Sequence, residues 1–169
     1  MGGRRFVFEP HHCFACGELN EHGLRLALHA DASGCWTEVT LEPGFQGWEG
    51  VAHGGILCTI LDEVMAWSVI GQETWGVTAR MTVDFKRPVP VGRRLRAEGT
   101  VTARARRLLR TTGRLMDAET GAVLATSEGT YMAAPPDRLA ELKARYRLRP
   151  AGGLDDIPQA VDVGTEAVP

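Results

Sequence analysis

One long stretch of the chain is apolar almost without interruption. It runs from His53 to Trp67, starts with two glycines after the histidine, and contains one carboxylate pair, Asp62 and Glu63. This pattern predicts a turn followed by a helix over residues 54–70. A helix that is apolar on all sides is normally enclosed by other elements. The chain is therefore predicted to have a buried central helix.

Segments in which apolar and polar residues alternate lie on both sides of that helix in the sequence. The predicted strands are 24–29, 35–41, 76–85, 93–104, 108–116 and 122–133. One long helix among antiparallel strands implies an α+β fold, with a curved six-stranded sheet wrapped around the helix. A single helix cannot cover the whole of such a sheet, so we expect a homo-oligomer.

The pattern divides the chain into four parts. We expect an irregular segment at 1–23, the folded domain at 24–134, a short helix within 135–149 and a disordered acidic tail at 150–169. The net charge is −2, and the tail contributes −4 of it, which leaves +2 for the remainder. A mildly basic body suits a small anionic ligand better than a nucleic acid.

Targeting signals are not evident in this sequence. No apolar run reaches the ~18 residues of a membrane span, and the first residues lack the apolar core of a secretion signal. We therefore expect a cytoplasmic protein with no membrane or nucleic-acid partner. The four cysteines are then expected to be thiols.

Cys13 and Cys16 form a C-x-x-C pair near three histidines, His11, His12 and His22. This spacing admits a zinc site, but structural zinc sites usually have a second matched pair of ligands, which Cys35 and Cys58 do not supply. The sequence alone favours a structural loop, and we predict no metal and no cofactor.

The carboxylates of the helix point in different directions, because adjacent helical residues are ~100° apart. Asp62 shares its face with small side chains, including Gly55, Cys58 and Ala66. Such a face forms a narrow groove that can admit a slender ligand. The first N–H groups of the helix lack intrahelical partners and suit a partly negative oxygen.

These residues also carry a family resemblance. The run His53-Gly54-Gly55, the spaced acid Asp62 and the turn Lys86-Arg87-Pro88-Val89-Pro90-Val91-Gly92 are together similar to the hotdog-fold acyl-CoA thioesterases. The PaaI-type group of the 4-hydroxybenzoyl-CoA thioesterase superfamily resembles the chain most, over roughly residues 13–133. The segment from Cys13 to Leu24 also looks like members of this group.

The resemblance implies a hotdog fold, an active site at a dimer interface and a dimer or a dimer of dimers. It implies hydrolysis of an acyl-CoA to the free acid and coenzyme A, with Asp62 as general base or nucleophile. It implies that the Gly55 N–H binds the thioester carbonyl and that His53 orients the thioester. It also implies that Thr78 of the facing subunit supplies an assisting hydroxyl. A structural role for any of these residues stays open.

Residues that could bind the substrate are less specific. The candidates are Gly54, Trp48, Lys86, Arg87, Arg107 and Arg110. Arginine forks suit the phosphates of coenzyme A, although arginines on a strand also simply face solvent. Trp48 either lines the acyl pocket or packs.

Two other functions use the same fold. A binding module would hold acyl-CoA without hydrolysing it, but it would not need a carboxylate beside an anionic ligand. A hotdog dehydratase is disfavoured because no histidine follows His53 in the chain.

Overall fold

The computed structural model describes residues 6–7, 9–147 and 149–150. The elements in chain order are β1 (Phe6–Val7), β2 (His29–Asp31), β3 (Gly34–Thr40), β4 (Gln46–Trp48), β5 (Val51–Ala52), α1 (Gly54–Ile70), β6 (Gly76–Phe85), β7 (Arg94–Ala105), β8 (Leu108–Asp117), β9 (Val123–Ala133), α2 (Pro136–Tyr146) and β10 (Arg149–Pro150). Residue 150 apart, the predicted acidic tail lies outside the described residues.

The predicted central helix is confirmed with its bounds. α1 spans Gly54–Ile70, and its buried face is formed by Leu57, Ile60, Leu61, Val64, Met65, Trp67, Ser68 and Val69. Gly55, Cys58, Asp62 and Ala66, which were predicted to share a face, lie outside this buried set. None of the helices in the described part of the chain combines the length and hydropathy that crossing a membrane requires.

A six-stranded antiparallel sheet packs against α1, as predicted. Its strand order is β2-β3-β7-β8-β9-β6. The helix approaches β7 very closely, because a Cβ built on Gly99 would lie 2.4 Å from the Val64 carbonyl oxygen. Only glycine leaves room for this approach. The sheet therefore lies directly against the middle of the helix.

The strand predicted at 24–29 is wrong for most of its length, since β2 covers only His29–Asp31. The alternation of buried and exposed residues is present, with Leu24, Leu26 and Leu28 all buried. Their backbone pairs elsewhere: the Leu24 N–H donates to the Phe14 carbonyl at 2.8 Å, and the Leu26 N–H donates to the Ala15 carbonyl at 2.9 Å. A loop takes these backbone hydrogen bonds, and Arg25 has a positive φ of 48°, so the segment does not form a strand.

Burial along β3 does not follow side-chain size. Cys35 and Thr37 are buried, whereas Trp36 is only half-buried. The Trp36 ring stacks on His29 with 4.1 Å between centroids, and the Arg96 guanidinium lies 4.4 Å from it. An indole that stacks between polar groups can remain partly in solvent, which is why its size alone gives the wrong face.

The segment before α1 is partly regular. It contains a 3-10 turn at Pro43–Phe45 and the short hairpin of β4 and β5. The His53 N–H donates to the Phe45 carbonyl at 2.9 Å, and the Ala52 N–H donates to the Val89 carbonyl at 2.8 Å. These bonds fix the point at which the chain enters the helix.

β6 is a long edge strand with a β-bulge between Thr78 and Arg80. The extra residue changes the alternation, so Thr78 shares the helix-facing side with Met81, contrary to the strict alternation predicted from the sequence. Val77 and Phe85 are 70% and 53% exposed. A ten-residue edge with exposed apolar side chains is an unusual surface for a monomer.

Asp117 closes the β8–β9 hairpin and provides a test of the fold. Its carboxylate accepts the N–H groups of Glu119 and Thr120 at 3.0 and 2.8 Å, and the Arg93 guanidinium donates to it. The Arg93 hydrogen bond, followed by that of the Thr120 amide, holds the pKa of Asp117 below its ordinary value. A carboxyl group whose pKa is lower in the folded state stabilises the fold at pH values above its pKa in the unfolded state. This contribution is lost as the pH falls through its pKa in the folded state.

We therefore expect Asp117→Asn to lower Tm by several degrees at pH 7, with a smaller difference from wild type as pH falls below about 4. Thermal melts at a series of pH values measure this. Asp137→Asn, an exposed position on α2, serves as the control. A difference that stayed constant down to low pH would contradict the assigned role.

Candidate active site

The residue before α1 holds the start of the helix. His53 is extended, and its ring Nδ1 accepts the Gly55 N–H at 2.9 Å. The His53 carbonyl accepts the Ile56 N–H at 2.9 Å. Acceptors at this position satisfy amides that have no partner within the helix. His53 is therefore the N-cap of α1.

The His53 ring accepts the same Gly55 N–H that was predicted to bind a ligand oxygen. The Gly55 N–H already donates to the His53 ring, whereas the Gly54 N–H has no hydrogen-bond partner among the described residues. The Phe85 ring is close by, since a Cβ built on Gly54 would lie 3.5 Å from it. A ligand oxygen can reach Gly54 directly, and Gly55 only after the His53 ring turns away.

Two hydroxyl groups converge on one oxygen of Asp62, which lies half-buried in the middle of α1. Thr78 Oγ1 donates to Asp62 Oδ1 at 2.8 Å, and Tyr131 Oη donates to the same oxygen at 2.7 Å. Within residues 9–147, no hydrogen bond reaches Asp62 Oδ2. The carboxylate is fixed through one oxygen and presents the other to a water or a ligand.

Thr78 belongs to the same protomer as the carboxylate that it contacts, whereas the resemblance implied a hydroxyl from the facing subunit. The cause is the register of the edge strand. The bulge turns Thr78 toward α1, and the strand pairing sets it beside Tyr131.

Tyr131 is a site residue that the sequence analysis does not include. It lies in β9, is fully buried, and pairs with Thr78 on one side and Leu109 on the other. Burial, followed by the hydrogen bond to Asp62, raises the pKa of the phenol well above its ordinary value. Tyr131 is therefore a donor at neutral pH. Its proximity to Asp62 depends on strand register, which the sequence does not reveal.

Glu63 points away from this cluster, as the helical geometry predicts. The Trp67 indole N–H donates to Glu63 Oε1 at 3.0 Å. Burial, followed by the neighbouring Cys13, raises the pKa of Glu63 to about 7. The two adjacent carboxylates thus face different surroundings: hydroxyl groups for Asp62, and the cysteine loop for Glu63.

The predicted substrate-binding residues fall into separate regions. Lys86 and Arg87 follow β6 at the end that lies near Gly54. The Arg107 guanidinium donates twice to the Ala133 carbonyl, at 3.0 and 2.8 Å, and so braces the end of the sheet. Arg110 alternates with buried Leu109 in β8 and therefore lies on the sheet face opposite α1.

The tryptophans differ strongly in how exposed their side chains are. Trp67 and Trp75 are buried and pack, whereas Trp48 on β4 is 84% exposed. Packing within the protomer therefore does not account for Trp48. Its position shortly before the start of α1 leaves it available to a ligand or a partner.

The helix start and Asp62 are well separated within one protomer. They are two helical turns apart, about 10 Å along the axis at 1.5 Å per residue. Reacting atoms must approach to about 3–3.5 Å. One thioester carbon cannot be next to both groups of the same helix.

A central helix enclosed by a curved six-stranded antiparallel sheet, with a carboxylate on that helix, defines a hotdog-fold protein. The thioesterase superfamily model matches residues 49–124, which include α1, Asp62 and most of the sheet. No curated protein sequence matches the chain.

Solved structures agree with this match. A thioesterase superfamily protein is 28% identical with a TM-score of 0.67, over 72% of this chain and 60% of that one. The E. coli PaaI protein from the phenylacetic acid degradation operon is 20% identical with a TM-score of 0.61, over 64% and 83%. A hypothetical thioesterase from Streptococcus pneumoniae, solved with coenzyme A, is 17% identical with a TM-score of 0.61, over 64% and 85%.

The chain spans less than two thirds of the first of these structures. Residues 49–124 thus match the thioesterase superfamily, and the fold is the one that these thioesterase structures share. The hotdog fold expected from the sequence is thereby confirmed.

Proposed function

We propose that this protein hydrolyses an acyl-CoA thioester to the free acid and coenzyme A, with Asp62 as its catalytic carboxylate. The observation that carries the proposal is the state of Asp62: Thr78 and Tyr131 hold Oδ1, and Oδ2 is unpaired among the described residues. A carboxylate fixed in this way can take a proton from a water or attack a carbonyl itself.

The chemistry can follow either route. As a general base, Asp62 Oδ2 takes a proton from water while the water oxygen attacks the thioester carbon. The tetrahedral intermediate then breaks its C–S bond, and the departing thiolate is protonated. As a nucleophile, Asp62 forms a mixed anhydride with loss of the thiolate, and water then cleaves the anhydride.

In both routes an amide at the start of α1 stabilises the developing oxyanion. Gly54 has an unpaired N–H for this purpose, and Gly55 becomes available when the carbonyl displaces the His53 ring. His53 is thus proposed to orient the thioester by giving up its contact with Gly55.

The distance along α1 supports a site built from two protomers. Gly55 and Asp62 of one helix are about 10 Å apart, so the helix start of one protomer would face Asp62 of its partner. The long β6 edge, with Val77 70% exposed, supports the same homodimer. Light scattering distinguishes a dimer from a dimer of dimers.

Coenzyme A would enter near the start of α1. Lys86 and Arg87 lie at that end and offer cations to its phosphates, and Trp48 offers an exposed ring nearby. The Streptococcus pneumoniae neighbour was solved with coenzyme A, which is consistent with this ligand class. Arg107 and Arg110 would contribute only by reaching the ligand bound by a partner.

A thiol-release assay over a panel of acyl-CoA substrates, from acetyl to aromatic and medium-chain acyl groups, tests the proposal. We expect multiple turnovers with at least one substrate. Tight binding of acyl-CoA without thiol release would favour the binding-module alternative instead.

Tyr131→Phe tests how the carboxylate is held. The substitution removes the phenol oxygen, so Asp62 loses one of its two donors while the buried ring stays in place. A hydrogen bond to a charged group is worth about 1.5–3 kcal/mol, so we expect kcat to fall roughly 10- to 100-fold. KM should change little, because the phenol does not face the coenzyme A end of the site.

Tyr146→Phe on α2 is the matched control. Steady-state kinetics on the preferred acyl-CoA provide the measurement. An unchanged kcat for Tyr131→Phe would mean that Thr78 alone suffices to hold Asp62.

A further inference from the structure

The C-x-x-C loop lies on the side of α1 away from Asp62, and the proposed hydrolysis does not use it. His11, Cys13 and Cys16 are half-buried there, and one ligating atom from each lies within 4.8 Å of the other two. We propose that these three residues bind a structural zinc ion, with Glu63 completing the coordination either directly or through a water molecule.

The spacing of the ligands fits this ion. Zinc binds cysteine sulfur at about 2.3 Å and histidine nitrogen at about 2.0–2.1 Å in tetrahedral geometry, so such a sulfur and nitrogen are about 3.6 Å apart. Cys16 Sγ and His11 Nε2 are 3.5 Å apart. The pair therefore requires little movement to bind the metal.

The histidine is held in the tautomer that binding requires. His11 Nδ1 lies 3.1 Å from the Glu9 carbonyl oxygen, which can only accept a hydrogen bond. Nδ1 is therefore the protonated nitrogen, and Nε2 turns its lone pair toward the cysteines. Zinc-bound histidines usually have this backbone or carboxylate partner on their second nitrogen.

Backbone hydrogen bonds set the shape of the loop. The Gly17 N–H donates to the Cys13 carbonyl at 2.9 Å, and the loop carbonyls of Phe14 and Ala15 accept N–H groups from the segment that follows. A Cβ built on Gly17 would lie 2.4 Å from the Cys13 nitrogen, so the turn admits only glycine. The ligands are thus positioned in advance by the backbone.

Glu63 of α1 offers an additional ligand beside this loop. Its carboxylate interacts with the Cys16 thiol, and the Trp67 indole N–H donates to its Oε1 at 3.0 Å. It takes the role that a second cysteine pair has in other zinc sites, the pair whose absence led the sequence analysis to predict no metal. The ion would fasten the N-terminal segment to α1.

A redox-active disulfide is the competing function for two neighbouring thiols. Redox-active pairs also lie beside a histidine, so the presence of His11 does not by itself separate the two functions. The distance of 3.5 Å between Cys16 Sγ and His11 Nε2, which matches zinc geometry, favours the metal.

The test uses the full chain, purified under reducing conditions from zinc-supplemented cells. Native mass spectrometry and elemental analysis measure bound zinc, and reconstitution with Co²⁺ reports thiolate ligation through its near-ultraviolet charge-transfer band. We expect about one zinc ion per chain and a thiolate-to-cobalt band. Cys16→Ser and His11→Gln should weaken zinc binding at least about 100-fold in a chelator competition.

Cys58→Ser and His12→Gln are matched controls that remove a thiol and an imidazole outside the cluster, and they should keep the zinc. Circular dichroism confirms that each variant is folded. If Cys16→Ser does not fold, His11→Gln still tests the site because both thiols remain.

Three results would overturn the proposal. One is a metal-free protein whose mass falls by two hydrogen atoms on mild oxidation, which would identify a disulfide pair. Another is a metal-free protein with both thiols freely reactive. The third is full zinc retention in His11→Gln and Cys16→Ser.

Discussion

Replacing Asp62 with Asn is expected to lower kcat for acyl-CoA hydrolysis by about 10²–10⁴-fold, the usual contribution of a positioned base or nucleophile. Asn has the shape of Asp and keeps an oxygen that can accept from Thr78 and Tyr131, so the fold should be preserved. It cannot take a proton from water or form an anhydride. Both proposed routes therefore stop.

Thiol release under saturating substrate, with circular dichroism and binding of the unhydrolysed acyl-CoA, measures this effect. Asp137→Asn, an exposed carboxylate on α2, is the control and should retain wild-type rates. A nearly normal rate for Asp62→Asn would remove the carboxylate from the mechanism and with it the proposed function.

Mixed dimers of two inactive variants are expected to regain activity. Gly55→Val fills the space before the helix start, where even a Cβ would lie 3.0 Å from the His53 ring. Alone, this variant and Asp62→Asn should each be nearly inactive. In a mixed dimer, the intact helix start of one protomer faces the intact Asp62 of the other, so one site in two works.

Co-expression with two affinity tags and tandem purification yields the mixed dimers. We expect about half of the wild-type activity per dimer, because a two-fold axis creates two equivalent sites. Doubly tagged Asp62→Asn dimers are the control and should remain inactive. Mixed dimers as inactive as their parents would mean that each site lies within one protomer, and an active monomer in light scattering would mean the same.

The sequence predicted the helix and most strands well because the pattern that defines each of them lies within one segment of the chain. Bounds of α1 and β6 follow from runs and alternations that a single segment carries, and Asp62 and Glu63 were correctly assigned to different faces by helical geometry alone. Where a neighbouring segment intervened, prediction failed. Apolar and polar residues alternate over 24–28, yet the amides of Leu24 and Leu26 pair with the cysteine loop. One bulge in β6 changed the side on which Thr78 lies.

Only some residues of the candidate site could be predicted from the sequence. Asp62 and the helix start could be found because a carboxylate and paired glycines stand out in an apolar run. Tyr131 could not be found, because it is separated from Asp62 by most of the sheet in sequence and meets it only through strand register. His53 was named from the sequence, but its role as N-cap, with the ring turned back onto Gly55, is seen only in the structure.

The sequence by itself determined the central helix, most of the strands and the carboxylate that interrupts the apolar pattern of the helix. These features depend on the periodicity of apolar residues within one segment. Tertiary structure alone decided which hydroxyls hold Asp62, which amide is free and which histidine turns toward Cys16. The contacts of Asp62 join residues far apart in the chain, and the other two depend on how a loop or a helix start folds. Their distances are set by packing in three dimensions rather than by the pattern of any one element.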